Sequence, residues 1–402
     1  EYYEGTISGW LGYSLYRVDI AAPAWQQELR GCSYSAPTSI ADAALIGDYA
    51  YVAMDDVGVY GVDFGGPSEV WRYASPATTK IVSGCGRYVC ALDGANLRVV
   101  DTLDSLHLQA VGHYDTGGEP KALRVLYPYA YIIVQSTDPY IRGAELQVVN
   151  ISNVVSPTLE GQVEFYGEAE ALWVLNGVAY VGGAALSGEN PWGRWARLWL
   201  FDVRTPAQPT LTSMLAPFSE GQDYSFVRDI WVEGKTAYIL SQIPDYHSTH
   251  FSKLDVQDAA NPKFIVSTTL PGWCHDLAAR GDWVYVSGVS DPLGESHPAL
   301  WPIHFTDPEF PNVQSEIVLP TSAADLDMER GYLLAALGQS GVYAFDVRDG
   351  IPAFAASYDT EGAAEGVNGC SPYVQVADGY NGLVMLWLTA PMPLYLPALY
   401  RG

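Results

Sequence analysis

A short phrase returns along this entire chain, and an internal repeat of that kind restricts the fold more than any single residue does. A tight turn followed by aromatic, β-branched and small residues reads LIGDYAYVAM from Leu45, GCGRYVCAL from Gly84, VLYPYAYIIV from Val125 and VLNGVAYVGG from Val174. It returns as VEGKTAYILS from Val232, ARGDWVYVSG from Ala279, MERGYLLAAL from Met328 and GCSPYVQVA from Gly369, which makes eight units. Apolar and small residues alternate around a two-residue turn of Gly, Asn or Pro, the pattern of a β-hairpin.

A second unit accompanies each hairpin: a strand ending in Asp or Asn, a loop with proline, and a further strand. Clear examples are LYRVDIAAPAWQQEL from Leu15, LQVVNISNVVSPTLEGQ from Leu146, LWLFDVRTPAQPTLTS from Leu198, SKLDVQDAANPKFIVS from Ser252 and VYAFDVRDGIPAFAAS from Val342. The side chains of Asp19, Asn150, Asp202, Asp255 and Asp346 suit backbone donors of the turn. Pro23, Pro157, Pro209, Pro262 and Pro352 suit the start of an edge strand that can spare an N–H. Both sets are turn chemistry, and a structural role is expected for them.

Four strands in each stretch of roughly 40 to 50 residues, with no helical periodicity, have the dimensions of a β-propeller blade. The expected fold is all-β: an eight-bladed β-propeller of four-stranded antiparallel blades, with surplus strands at the termini. The phrasing of hairpin, GLxVVD-like strand and proline loop resembles the LVIVD-repeat proteins over nearly the whole chain. That resemblance implies a propeller of a mostly secreted or surface-exposed bacterial or archaeal kind. It implies no catalyst, because the residues that carry it are turn and core residues.

Composition narrows the partners. Hydrophobic residues make up 49% of the chain and charged ones 16%, ample for a large core and unlike a disordered chain. Lys+Arg 20 against Asp+Glu 46 gives a net charge of -26, which repels phosphate backbones and anionic membranes. Nucleic acid is not an expected partner, and no apolar run approaches the roughly 20 residues of a membrane span. The sequence starts at Glu1 without an initiator Met, so a mature secreted chain that has lost a signal peptide is the expectation.

Counting the two units leaves a remainder. The hairpin occurs eight times and the second unit nine times, once before the first hairpin and once after each. Residues 1–37 therefore hold a strand pair that could close the ring or strap its outside, residues 38–390 hold the blades, and residues 391–402 form an apolar tail. Head and tail cannot both occupy the same places in the last blade. The surplus pair either adds to its own ring or pairs with an edge of a neighbouring molecule. The tail, with Leu394, Tyr395, Leu396, Leu399 and Tyr400, is the better candidate for assembly, because left bare it would be an aggregation hazard.

The five cysteines show no zinc-like spacing. If the head closes the last blade, Cys32 would lie near Cys370 and could staple the seam. Cys85 and Cys90 flank a turn and could form a hairpin disulfide, with Cys274 left over.

Candidate chemistry gathers at the channel that a propeller's first strands line. Asp42, Glu170, Asp229, Asp276, Asp325 and Glu365, with Lys80 and Lys121, fall at similar distances before the turns. Such a ring could hold a hard cation such as Ca²⁺ through oxygen ligands, or each acid could accept backbone N–H groups from the next blade. The second role is preferred, since residues that follow a repeat usually serve it. His247 and His250, near Asp245, are spaced like a metal pair but fall on an insertion, where a solvated loop is the simpler expectation. Cys274, His275 and Asp276 are consecutive, and neighbours on a strand point to opposite faces, so a nucleophile and its base do not converge there. The NIS sequon at Asn150 is already explained by its turn. Insertions around Trp192, Tyr246 and Trp301 are rich in aromatic residues and should gather on one side of the ring, where they could contact protein or carbohydrate.

The leading expectation is a secreted, non-catalytic structural or interaction module at the cell surface, self-assembling as a filament or layer, with no cofactor. The alternatives are a secreted metal-assisted hydrolase using the channel ring and a carbohydrate- or protein-binding lectin-like propeller.

Overall fold

The computed structural model describes residues 13–387 except 16, 20–33, 37–39, 47–48, 55–57, 64–69, 74–78, 86–87, 102–108, 138–142, 187–193, 218–224, 244–247, 271, 291–295, 308, 360–362, 365, 371–372 and 378–382. Every regular element described is a strand. Near the head lie β1 (Tyr13–Leu15), β2 (Arg17–Asp19) and β3 (Tyr34–Ala36), of which β1 and β3 pair with each other. The first sheet then runs in sequence order through β4 (Ile40–Ile46), β5 (Tyr49–Met54), β6 (Gly58–Asp63) and β7 (Val70–Tyr73). The second holds β8 (Thr79–Cys85), β9 (Tyr88–Asp93), β10 (Asn96–Asp101) and β11 (Gln109–Asp115). The third holds β12 (Glu119–Leu126), β13 (Tyr129–Gln135), β14 (Gly143–Asn150) and β15 (Thr158–Tyr166).

The fourth sheet comprises β16 (Glu168–Leu175), β17 (Val178–Leu186), β18 (Arg194–Asp202) and β19 (Thr210–Leu215), and the fifth β20 (Phe226–Glu233), β21 (Thr236–Ile243), β22 (Ser248–Asp255) and β23 (Lys263–Leu270). In the sixth, β24 (Trp273–Arg280), β25 (Trp283–Ser290) and β26 (His297–Asp307) are followed by an outer position split between β27 (Phe310–Val313) and β28 (Ile317–Val318). The seventh holds β29 (Asp325–Glu329), β30 (Tyr332–Ala336), β31 (Val342–Asp346) and β32 (Ala353–Tyr358). The last sheet has the order β2, β35 (Leu383–Trp387), β34 (Tyr373–Ala377) and β33 (Gly366–Cys370).

Each hairpin phrase is the first two strands of a sheet, and where its turn holds glycine, as at Gly177, Gly234, Gly281 and Gly331, that residue takes the positive φ that a right-twisted hairpin demands. In VLNGVAY both Asn176 and Gly177 have positive φ, 51° and 75°. Second strands are buried on both faces, as in Tyr129–Gln135, where five consecutive residues are buried. That explains their continuous apolar runs. Outer strands such as Thr158–Tyr166 are largely exposed.

The sheets pack face to face through large side chains. Phe165 of the third sheet meets Trp199 of the fourth at 4.9 Å between ring centroids, and Phe201 at 5.5 Å. Tyr238 and Phe251 of the fifth meet Phe305 of the sixth. Trp199 and Trp301 are essentially fully buried. Truncating either to alanine would remove about 3–5 kcal/mol. First strands contact one another successively from β4 to β33, and β34 of the last sheet contacts β4 of the first, so the sheets form a closed circle.

The head occupies the outside of that closing sheet. β2 lies parallel to β35, pairing Arg17 with Met385, Val18 with Leu386 and Asp19 with Trp387. The tail residues Leu394, Tyr395, Leu396, Leu399 and Tyr400 lie outside the described residues.

Candidate functional site

First strands face the centre, and six of them carry a β-bulge at one repeated place. The register shifts between Ile40 and Asp42, Thr79 and Ile81, Pro120 and Ala122, Ala169 and Ala171, Val227 and Asp229, and Cys274 and Asp276. The unpaired residues are therefore Ala41, Lys80, Lys121, Glu170, Arg228 and His275. The residues one step on are Asp42, Ile81, Ala122, Ala171, Asp229 and Asp276. Asp325 opens β29 at the equivalent place, four residues before the strand's end at Glu329 as Asp276 is before Arg280. The expected ring thus divides into two registers: Asp42, Asp229 and Asp276 follow the bulge and Asp325 takes the same place in a strand that pairs without one, whereas Lys80, Lys121 and Glu170 sit in the bulge. An inserted residue re-aims the side chains around it, which a gapless reading of the sequence does not register. Glu170 is exposed, Asp42 is described in its backbone only, and Glu365 lies outside the described residues.

Three of these carboxylates stitch neighbouring sheets together. Asp229 Oδ2 accepts the Leu277 N–H of the sixth sheet at 3.1 Å, Asp276 Oδ2 accepts the Leu326 N–H of the seventh at 2.5 Å, and Asp325 Oδ2 accepts the Val367 N–H of the last at 2.7 Å. Asp229 Oδ1 also accepts the Ile230 N–H at 2.7 Å. The carboxyl groups meet, since Asp276 hydrogen-bonds both Asp229 and Asp325. Burial pushes Asp276 well above the usual carboxylate range, and the charges of Asp229 and Asp325 push it further. Burial likewise raises Asp325 to about 7, against the lowering effect of its bonds from Val367 and Asp276. Carboxyls this close cannot all ionise together, so the cluster holds a proton into the neutral range.

The adjoining part of the same wall is aromatic and cationic. Arg124 lies 4.5 Å over the Trp173 ring, and Trp173 lies 5.2 Å from Trp231, so equivalent positions of the third, fourth and fifth sheets form one stack. Burial lowers the Arg124 pKa, and the charge of Asp327 in the seventh sheet partly offsets this. The stack and the three carboxyls line a central cavity of about 380 Å³ that Lys121, Glu170 and Arg228 also border. A larger cavity, about 720 Å³, is lined by Gln135, Glu145, Glu164 and Tyr166 of the third sheet.

A constellation with no sequence motif lies at the end of the sixth sheet's second hairpin. Ser290 Oγ is 3.0 Å from His297 Nδ1, and His297 Nε2 is 2.7 Å from Glu316 Oε1. The types are those of a nucleophile, a base and its orienting acid. Ser290 is buried, however, and its hydroxyl donates to the His297 carbonyl at 3.1 Å. Within bonding distance of both the ring and the carbonyl of His297, the hydroxyl ties β25 to β26 across the hairpin. Only the register Ser290↔His297 brings the residues together.

His250 belongs to β22, opposite Ser241 and Thr269, rather than to a loop as expected. It is half-buried, and burial lowers its pKa. His247 and Asp245 lie outside the described residues, among which no group of three His, Cys, Asp or Glu could hold a metal ion. Cys274 is a buried thiol pushed up to about 12 by burial, despite a hydrogen bond with Thr249. Cys90 is also a buried thiol, paired across the hairpin with Ser83, whereas Cys85 pairs with Tyr88. The two cysteines of the expected Cys85–Cys90 pair thus fall on different rungs of the ladder, and the Cys85 side chain lies outside what is described. Cys370 is described only in its backbone, and Cys32 lies outside the described residues.

The circle of sheets around a central cavity is the architecture of a β-propeller. In solved structures it is similar to the Dos1 propeller, with 10% identity over 91% of this chain and 93% of that one at a TM-score of 0.61. It is also similar to Sqt1 of Saccharomyces cerevisiae, with 8% identity over 88% of this chain and 96% of that one at 0.66. A computationally designed protein, Ika8, is similar at 0.61 with 10% identity, covering 87% and 96%. Likeness at such identities concerns the fold alone. The LVIVD repeat matches residues 39–71 and 117–164, so the chain carries LVIVD repeats, consistent with a member of that repeat family. No curated protein matches the chain.

Proposed function

We propose that the chain is an eight-bladed propeller serving as a secreted, non-catalytic structural or interaction module at the cell surface, self-associating through terminal strands and aromatic surfaces. One observation carries the non-catalytic reading: the carboxylates that a metal or a general acid would need at the centre, Asp229, Asp276 and Asp325, accept backbone N–H groups of the next sheet. Carboxylates that accept the next sheet's backbone N–H groups act as links between sheets, a role that the repeat itself requires. Support for association comes from the rim. Leu159, Leu211, Phe264 and Phe354 occupy one repeated place on the outer strands, opposite Val149, Phe201, Leu254 and Phe345, and are 40–59% exposed. Repeated exposed apolar residues are the raw material of protein contacts.

Electron imaging of native particles tests this reading, with filaments or layers expected. Isolated rings at every concentration would remove the assembly. Stoichiometric metal in the native protein, lost in Asp229→Asn and Asp276→Asn, would favour the metal-assisted hydrolase instead. The Arg124–Trp173–Trp231 stack favours a second reading, a carbohydrate-binding propeller, since aromatic faces beside polar groups suit sugars. Loss of glycan binding in Trp173→Ala would establish it.

A further inference from the structure

The place after the bulge holds a carboxylate in some sheets and none in others, and the difference shows at the central cavity. Along an antiparallel pair, rungs that exchange hydrogen bonds alternate with rungs whose backbone groups point away from the partner strand. A two-residue turn is closed by a bonded rung, so the fourth rung from it is of the second kind. Leu277↔Val286 and Leu326↔Ala335 are such fourth rungs. Their outward N–H groups are the ones that Asp229 and Asp276 of the preceding sheets accept.

Leu123↔Ile132 and Leu172↔Val181 are the fourth rungs of the third and fourth sheets. Their N–H groups point outward by the same count. The preceding sheets, however, place Ile81 and Ala122 after the bulge, and neither side chain has an oxygen to offer. Both leucines border the central cavity of about 380 Å³, a size in the range of small-molecule sites. Alanine at 122 and 171 thus withholds the acceptor and leaves the room that it would fill.

Cations stand around that room. Lys121 and Arg228, the unpaired residues of two bulges, and Arg124, 4.5 Å over the Trp173 ring, border the same cavity. The chain has only 20 Lys and Arg against 46 Asp and Glu, so three cations at one cavity set it apart from an anionic molecule. Lys121 also pairs with Glu119 at 2.8 Å. The three aspartates that border the cavity are already bonded to backbone N–H groups of the next sheets.

From outward N–H groups and cations around the place where the repeat elsewhere puts a carboxylate, we infer that the cavity binds an acidic sugar by its carboxylate. The ligand's carboxylate takes the place of the aspartate that position 122 lacks, accepting from the Leu172 N–H and the Arg124 guanidinium, since charge-assisted bonds of this kind are the strong ones. Glu170, also at the cavity, accepts from sugar hydroxyls. The inference deepens the carbohydrate-binding reading given above and rests on it.

Calorimetric titration of the full chain with glucuronate, glucose and acetate tests it. Glucuronate should bind about tenfold more tightly than glucose, the worth of a charge-assisted bond or two, and more tightly than acetate. Ala122→Asp gives the chain its own cap, as in the fifth to seventh sheets, and should weaken glucuronate binding by about tenfold or more. Arg124→Gln should weaken it similarly and leave glucose binding unchanged. Glucose bound as tightly as glucuronate overturns this inference while leaving the carbohydrate reading standing, and binding of none of the three overturns both. Acetate bound as tightly as glucuronate overturns the sugar as ligand. Full glucuronate affinity in a folded Ala122→Asp chain overturns the placement of the carboxylate at Leu172.

Discussion

The third and fourth sheets and the fifth to seventh sheets solve the same problem at the central wall by different means. At the place after the bulge the former present Ala122 and Ala171, the latter Asp229, Asp276 and Asp325. Where an aspartate is present, it caps a backbone N–H of the next sheet. Ala171 offers no such acceptor, and the Ile230 N–H that follows it is capped by Asp229 within its own strand. Asp229 thereby serves two sheets, and the alanine side is held by the Arg124–Trp173–Trp231 stack instead. One repeat position can therefore carry either a hydrogen bond or apolar packing, provided every buried N–H finds a partner.

The two means should respond differently to pH, and this is the largest expected effect. Asp276 and Asp325 have folded-state pKa values above the ordinary 3.8, so the folded chain binds more protons than the unfolded one. Their contribution is then full below the ordinary carboxylate range and is lost as pH rises through the raised pKa of each, about 7 for Asp325. Denaturant unfolding at about pH 5 and about pH 8 should differ by a few kcal/mol, roughly, in favour of acid from this cluster. Asp276→Asn, which keeps an acceptor but cannot ionise, should flatten that slope.

Next in size is Asp276→Ala, which strands the Leu326 N–H and should cost about 2 kcal/mol at acid pH. Its unfolding midpoint should fall clearly below that of Asp276→Asn. On the other side of the wall, Trp173→Ala should cost about 1–2 kcal/mol from the lost ring and cation contacts. It should leave the pH slope as in the wild type, and a flattened slope would show that the two halves of the wall are coupled. The smallest effect is expected at the rim, where Arg204 pairs with Asp202 and Arg348 with Asp346 in the open. Solvent screens such pairs, so Arg204→Ala and Arg348→Ala should leave the thermal midpoint without a measurable shift.

Much of the fold was legible before any coordinates. The hairpin phrases became the first and second strands of successive sheets because a two-residue turn between alternating runs has few other outcomes. The Asx positions were equally legible, and Asn150, Asp202, Asp255 and Asp346 each accept the N–H two residues on. The wall was only half legible. Glu170 and Asp229 looked equivalent by spacing, yet a bulge puts one in the unpaired place and the other after it. The trio of Ser290, His297 and Glu316 was not legible at all, since its members meet only through hairpin register and the return of the chain after β27.

By itself the sequence determined the repeat, the strand type, the turn chemistry and the surplus of one strand pair, all of which depend on residues near one another in the chain. Tertiary structure alone decided that three aspartates from different sheets come together and accept backbone N–H groups of the next sheet, because that depends on how sheets are set around the circle. It also decided that the head takes the outer place of the last sheet, since β2 pairs along the edge of β35 far from it in sequence.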